Sequence, residues 1–385
     1  SWVKPNSQTA MVFEDGTSLL MSNMAADTKD SMSKFSQKDS NTYGHMIRKW
    51  NKITNEILVP CTYLPAISPI DSQIILEKTD VGKEMLEMME MAPIDIINEH
   101  FENDKIRAML LYMTCMWGCD PRESGMGWYV ALQMSRGINK CYCYGSSHKL
   151  AGAFERVIVE NGGLVLEAAA VTKIIMEGGK AAGVQLAEGR TLKAKVIISS
   201  LDPQTTFLDF IGEKNLPGNL AESFKGWVWD KWSFHTLHVA SMQPPVYKKM
   251  DKNGKPVRGY DPWVNEAFMT IFGVEGEDQL LAHWDNVVAG KIDLKNFCGH
   301  ATCETIFDPH LTRWPGRHVS FFQMHAPYKI EGGWAKREPE LNQAILEKWE
   351  KTAPGFTKNN NIQKTNGETP EDIEIRFPNM RKGSI

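Results

Sequence analysis

The stretch that decides the fold runs from Gly145 to Pro203, and it opens GSSHKLAGAFERVIVENGG, Gly145 to Gly163. Leu150, Ala153, Phe154, Val157 and Ile158 recur at i, i+3, i+4, i+7 and i+8, which predicts an amphipathic helix entered through Gly145-Ser146-Ser147. Asn161-Gly162-Gly163 supplies its stop, because glycine adopts the left-handed conformation that closes helix ends. Three β-prone runs follow, Leu164 to Leu166, Ala169 to Met176 and Ala182 to Leu186, with Glu177-Gly178-Gly179-Lys180 as a turn between the last two. After a further turn at Glu188-Gly189-Arg190, the apolar run Lys195-Val196-Ile197-Ile198-Ser199-Ser200 reads as a buried strand. The stretch is an α/β unit with a β-meander, and it contains no phosphate-cradling glycine loop of its own.

On its N-terminal side, Ala10-Met11-Val12-Phe13 and Ser18-Leu19-Leu20-Met21 flank Glu14-Asp15-Gly16-Thr17 as a β-hairpin. From about Ser36 to Met134 the pattern turns helical. Ile106, Met109, Leu110, Met113 and Trp117 recur at helix spacing behind Asn103 as N-cap, and Pro60, Pro65, Pro69 and Pro93 cut the region into pieces. On the C-terminal side, strands are predicted at Trp232 to Ala240, Ala267 to Phe272 and His318 to His325, then a helix over Glu338 to Thr352 ended by Pro354-Gly355. The fold class is α/β with α+β character, in two lobes. Residues 1–140 form a hairpin and helical region of one lobe, 141–204 the α/β unit, and 205–385 an antiparallel lobe with a terminal helix.

The 385 residues carry 43 basic against 47 acidic side chains, mixed along the chain, so a nucleic-acid surface is not expected. No apolar run approaches the roughly 20 residues of a spanning helix, which leaves peripheral membrane contact open. The seven cysteines are an odd number in a long chain, the pattern of a reducing, cytoplasmic setting rather than of a disulfide framework. Cys115 with Cys119, and Cys141 with Cys143 near His148, lack the two-residue spacing common at zinc sites and read as ordinary thiols, so no metal is expected. His235 and His238, three apart on a strand, point to opposite faces.

The order Gly145-Ser146-Ser147, Gly162-Gly163, Val171, Gly183-Val184, Gly189 and Val196 to Pro203 resembles the central part of the phytoene-desaturase-like flavoproteins, relatives of amine oxidases and carotenoid isomerases. Asp308-Pro309, Pro315-Gly316-Arg317-His318, Ala326-Pro327-Tyr328, Gly333-Trp334, Ala353-Pro354-Gly355-Phe356 and Thr369-Pro370-Glu371-Asp372 continue the resemblance in family order. It implies an FAD-binding lobe and a substrate lobe, with FAD as cofactor and an apolar, isoprenoid or polyene substrate. By resemblance, Val171 meets the adenine through its backbone and Ser199 and Ser200 lie near the dinucleotide, while Gly145, Ser146 and Ser147 pass the cofactor and substrate. The plain readings remain open beside these: Val171 as a sheet residue, and Ser147 as a helix cap. Phe321, Phe322, His325 and Tyr328 are either a substrate lining or core packing.

The family's opening G-x-G-x-x-G segment and its closing glycine-rich flavin-contacting segment, which would follow Lys382-Gly383-Ser384, are not in this sequence, and Ser1 has no Met before it. The expectation is a fragment, or a subunit whose nucleotide-binding segments come from a partner chain, and a chain that is colourless when purified alone. Three functions stay open: a desaturase- or dehydrogenase-type oxidoreductase, a flavoprotein isomerase without net redox change, and a non-catalytic scaffold subunit. In the two enzymatic readings the flavin carries the chemistry, and no nucleophile stands beside an organised base. Mass spectrometry of the intact protein during turnover should therefore find no side-chain adduct with substrate.

Overall fold

The computed structural model describes residues 1–247, Asn253, Lys255 and 260–384. They divide into two units: Ser1–Ser147 with Phe234–Thr369, and His148–Ser233 with Pro370–Ile385. In chain order the strands are β1 (Trp2–Val3), β2 (Ser7–Val12), β3 (Ser18–Ser22), β4 (Tyr142–Cys143), β5 (Val171–Glu177), β6 (Lys180–Leu186), β7 (Thr191–Lys193), β8 (Trp232–Ser241), β9 (Met269–Phe272), β10 (Gly299–Thr302), β11 (His318–Pro327) and β12 (Ile362–Glu368).

The first unit is organised by a seven-stranded sheet in the order β12-β8-β11-β10-β9-β2-β3. The expected hairpin is its edge. β2 and β3 pair antiparallel, and the link turns at Gly16, whose φ of 90° suits glycine. β2 then runs parallel to β9, while β9–β10, β10–β11 and β8–β12 are antiparallel. Strand alternation gives the sheet two different faces. Val12, Leu237, Val239, Phe272, Phe322 and Met324 join a core with Leu341, Ile345 and Trp349 from helix Trp334–Thr352. Ile271, His300 and Phe321 lie on the other face, where the Tyr112 hydroxyl of helix Asp104–Cys115 meets His300 Nδ1 at 2.9 Å.

Helix Asp104–Cys115 starts where the sequence places it, with the Asn103 side chain accepting from the Ile106 N–H at 3.2 Å. Ile106, Met109, Leu110 and Met113 are buried as their spacing predicts. Trp117 is a correction: the helix ends before it, and its ring is 54% exposed with Nε1 donating to Gln133 Oε1. His235 and His238 do face opposite ways, His235 stacked on Trp334 and His238 beside Phe321. Helix Trp334–Thr352 starts four residues earlier than expected and is followed by another at Pro370–Arg376.

The second unit contains helix Ser147–Glu160, closed by the Gly163 N–H on Ile158 O at 2.8 Å with Gly162 at φ 78°. It also holds the meander β5-β6-β7, whose first turn uses Gly178 and Gly179, both at positive φ as a tight hairpin requires. Two expected strands are absent. Leu164–Leu166 and Lys195–Ser200 form no strand, and Val196 and Ile198 are 72% and 91% exposed. A strand apolar on both faces needs neighbours to hydrogen-bond it and layers to cover it, and among the described residues none pairs with either segment.

Burial in the first unit extends to ionisable groups. His283, on helix Glu277–Val288, is 3% exposed, its Nε2 has no hydrogen-bond partner among the described residues, and desolvation holds its pKa at about 4. An imidazole neutral in the folded state and protonated in the unfolded chain below about pH 6.5 costs stability as pH falls from 6.5 to 4. H283L should fold, and between those pH values it should lose less stability than the parent by about 3 kcal/mol, read from urea unfolding midpoints.

Candidate functional site

In the first unit the chain around β4 is held from two sides. β4 pairs with β1, and the Tyr144 N–H donates to Ser1 O at 3.1 Å. Gly145 and Ser146 then take φ of 82° and 84° in succession, a conformation that strains the serine. What holds the turn is Asp308, fully buried, whose Oδ2 accepts the Gly145 N–H in a short bond while Oδ1 accepts from the His310 N–H at 3.1 Å. Glu304, close by, has its carboxyl pushed up by burial and then by Asp308. The sequence shows Asp308-Pro309 as part of a pattern, but nothing local in it couples Asp308 to Gly145, which lies 163 positions away.

Beside this turn, on the sheet face opposite helix Trp334–Thr352, is a cavity of about 270 Å³. Met116, Trp117, Phe234, Phe268, Met269 and Phe321 supply its apolar wall, and Lys140, His300, Thr302 and Gln323 its polar groups, with Cys141 at the edge. Among the described residues no carboxylate lines it. Desolvation holds His300 at a pKa of about 3, with the Lys140 charge adding to the effect, so the imidazole is neutral at physiological pH. A larger cavity of about 650 Å³ lies elsewhere in the unit, but charged side chains including Glu14, Glu275, Glu347, Lys348 and Lys351 line it. The smaller one has the apolar wall and few polar groups usual for a small-molecule site.

Lys140 is placed by an unusual contact. The register of β2 with β3 shifts between Ser7 and Thr9, leaving Gln8 as the extra residue of a bulge, and bulges re-aim side chains. The buried Gln8 amide turns to the Lys140 backbone: Oε1 accepts the Lys140 N–H at 2.9 Å and Nε2 donates to Lys140 O at 3.3 Å. The Lys140 ammonium meets the Met116 sulfur at 3.5 Å, and burial lowers its pKa to about 8.

Of the four aromatic positions singled out in the sequence, Phe321 lines the cavity. Phe322 points the other way into the core, as alternation requires. His325 is buried between Phe234 and Trp284, and Tyr328 O accepts from Trp334 Nε1 at 2.9 Å. In the second unit Val171 opens β5 opposite Leu186. The Ser199 hydroxyl bonds Thr206 Oγ1 at 2.7 Å, next to Asp202, which accepts the Thr205 N–H at 2.9 Å. Ser200 is exposed, as are Ser147 and His148 where the helix begins. Lys140, Gln8, Thr302 and the holding role of Asp308 escaped sequence reading.

No family model matches the chain. It is 28% identical over 398 residues to a limonene dehydrogenase subunit of Castellaniella defragrans, covering 100% of this chain and 70% of the relative. Over 149 residues, 38% of this chain and 29% of the relative, it is 27% identical to the neurosporene-forming phytoene desaturase of Cereibacter sphaeroides. These relatives support the resemblance to the phytoene-desaturase-like FAD-dependent oxidoreductases that the sequence motifs carry. A crystal structure of an oxidoreductase from Methanosarcina mazei shares the fold at a TM-score of 0.58 and 15% identity, covering 96% of this chain and 70% of that one.

The resemblance points to a flavin, and the residues present can be tested for fit to one. The Gly145-Ser146 turn fits: its main chain is half-exposed, fixed from behind by a buried carboxylate, and free of bulky side chains. In the second unit Val171 pairs with Leu186 at the start of β5 and Ser200 is exposed, whereas the Ser199 hydroxyl is already engaged by Thr206.

Lys140 also makes a stability prediction. Between the pKa of about 8 in the fold and about 10.5 in the unfolded chain, the unfolded state binds more protons, so stability rises with pH through that window. Below pH 8 the buried charge costs stability in full. K140M should therefore be more stable than the parent at pH 7 by about 2–3 kcal/mol, and the gain should vanish by about pH 10.5 in pH-dependent thermal unfolding.

Proposed function

We propose that this chain carries the substrate cavity and part of the cofactor site of a flavin-dependent dehydrogenase or desaturase that acts on an apolar hydrocarbon-like molecule. The observation that carries the reading is the carboxylate-free cavity walled by Met116, Trp117, Phe234, Phe268, Met269 and Phe321, in a chain similar along its whole length to a limonene dehydrogenase subunit. FAD, when bound, supplies the hydride acceptor, which is why the wall needs no nucleophile or paired carboxylates. The protein's part is to orient an apolar molecule and exclude water. The aromatic and thioether wall does both through burial, at about 25 cal/mol per Å² of apolar surface removed from water.

Gly145 and Ser146 are the residues of the first unit that we assign to the cofactor, through their backbone groups and the Ser146 hydroxyl. Asp308 is a positioning residue that keeps the Gly145-Ser146 turn in its strained shape.

A partner chain is part of the proposal. The relative from Castellaniella defragrans is named a subunit, and helix Ser147–Glu160 of the second unit has no buried residue, with Phe154 and Val157 63% and 56% exposed. An amphipathic helix with its apolar face uncovered is what a packing partner would bury. The partner we assign is a subunit whose apolar surface covers this face of helix Ser147–Glu160.

The test uses the protein as isolated from its source with any co-purifying chain. Under anaerobic conditions, limonene or a linear polyene should bleach the visible flavin band and yield a product with one more double bond. Rearranged substrate without bleaching and without an electron acceptor would make the protein an isomerase instead. D308N should lower flavin occupancy or turnover about tenfold or more while leaving the thermal midpoint of the first unit within a few degrees.

A further inference from the structure

Two polar groups on the cavity wall lack an oxygen partner. Lys140 has three N–H donors, and the one contact its ammonium makes among the described residues is with the Met116 sulfur at 3.5 Å, a weak acceptor. Among the described residues no carboxylate lies within ion-pair distance of it, and its pKa responds to desolvation alone. On the floor of the same cavity, Thr302 of β10 is 5% exposed, and its Oγ1 is buried with no hydrogen-bond partner among the described residues. The other polar groups there are at least partly engaged, His300 Nδ1 by the Tyr112 hydroxyl and Gln323 Nε2 by Thr236 Oγ1 at 3.1 Å.

A buried unpaired donor is costly and infrequent in folded proteins, and here Thr302 shares one small cavity with the half-buried Lys140, whose ammonium has no oxygen partner among the described residues. The way Lys140 is held sharpens the point. Gln8, buried in a strand bulge, accepts the Lys140 N–H at Oε1 and shares its Nε2 between Pro5 O and Lys140 O. A clamp on both backbone groups fixes where the side chain starts. A lysine needed only for solubility requires no such support.

We propose that the ligand of this cavity is an apolar skeleton bearing a single hydrogen-bond-accepting oxygen, a ketone or alcohol, and that Lys140 and Thr302 donate to that oxygen. The inference rests on reading the cavity as the substrate site and goes beyond it by naming the group that orients the substrate. The oxygen fixes which end of the molecule lies against Lys140, while Phe321, Phe268 and Trp117 take the hydrocarbon. Lys140 is thus a specificity-determining residue. A pure hydrocarbon fills the same wall and is turned over there, but it binds more weakly than an oxygenated analogue because it leaves both donors unpaired.

The experiment compares 4-isopropylcyclohexanone with isopropylcyclohexane, two probes of one carbon skeleton, by displacement of a fluorescent apolar dye from the intact protein. The parent should bind the ketone at least about tenfold more tightly, as a charge-assisted hydrogen bond predicts. K140M and T302V should each reduce the preference by weakening ketone binding, K140M more strongly because its hydrogen bond is charge-assisted. Because relief of a buried charge favours folding of K140M, loss of ketone binding in that variant reports on the contact, and its unfolding transition verifies the fold. Equal affinity for the two probes in the parent, or a preference that survives both substitutions, overturns the proposal while leaving the apolar cavity standing. Failure of both probes to bind the parent overturns this proposal and the assignment of the cavity together.

Discussion

The pleat of the seven-stranded sheet is the constraint on which the first unit depends. Side chains alternate between faces with a period of two, so a one-residue slip in any strand would exchange core for cavity. On β10 and β11, Ala301, Phe322 and Met324 enter the core under helix Trp334–Thr352, whereas His300, Thr302, Phe321 and Gln323 line the cavity. The pairings His300 with Gln323 and Thr302 with Phe321 lock that division, and the large Trp349 and Phe322 side chains oppose a slip strongly, since truncating such residues costs about 3–5 kcal/mol. The same register brings Met269, from β9, to the cavity beside Thr302.

Desolvation is the second organising force. His283, His300 and His325 are all buried and all held neutral by it, so the region beneath the sheet is polar in composition but uncharged near neutral pH. Against that background Lys140 is, among the described residues, the one cation on the cavity wall. A neutral, partly hydrogen-bonded surround supplies no counter-charge, and this leaves the ammonium available to a ligand. The site thereby gives up some stability for selectivity, a common relation at functional positions.

The second unit obeys the same rules with less buried surface. Its meander is well formed and Ile174 and Leu186 are buried, yet Phe154, Val157, Val196 and Ile198 are exposed. Arg381 ties the terminal segment to residues 202–209 through Thr205 at 3.1 Å and through Asp209, and these polar contacts do part of what an extensive core does in the first unit.

The sequence determined the elements whose signals are local. Helix Ser147–Glu160 with its glycine stop, the Gly16 hairpin, the Asn103 cap, the meander and the family resemblance were all legible, because each depends on periodicity or on residues a few positions apart. The strand reading of Lys195–Ser200 failed for a complementary reason. An apolar run states what a segment can become, but hydrogen-bonding neighbours decide whether it pairs. Likewise Phe321 and Phe322 look alike in sequence, and only the register of β11 sends one to the cavity and the other to the core. The roles of Lys140, Gln8 and Thr302, and the hold of Asp308 on Gly145, were not legible. Their contacts join residues 132 and 163 positions apart, or consist of a missing partner, and folding alone sets both distance and burial.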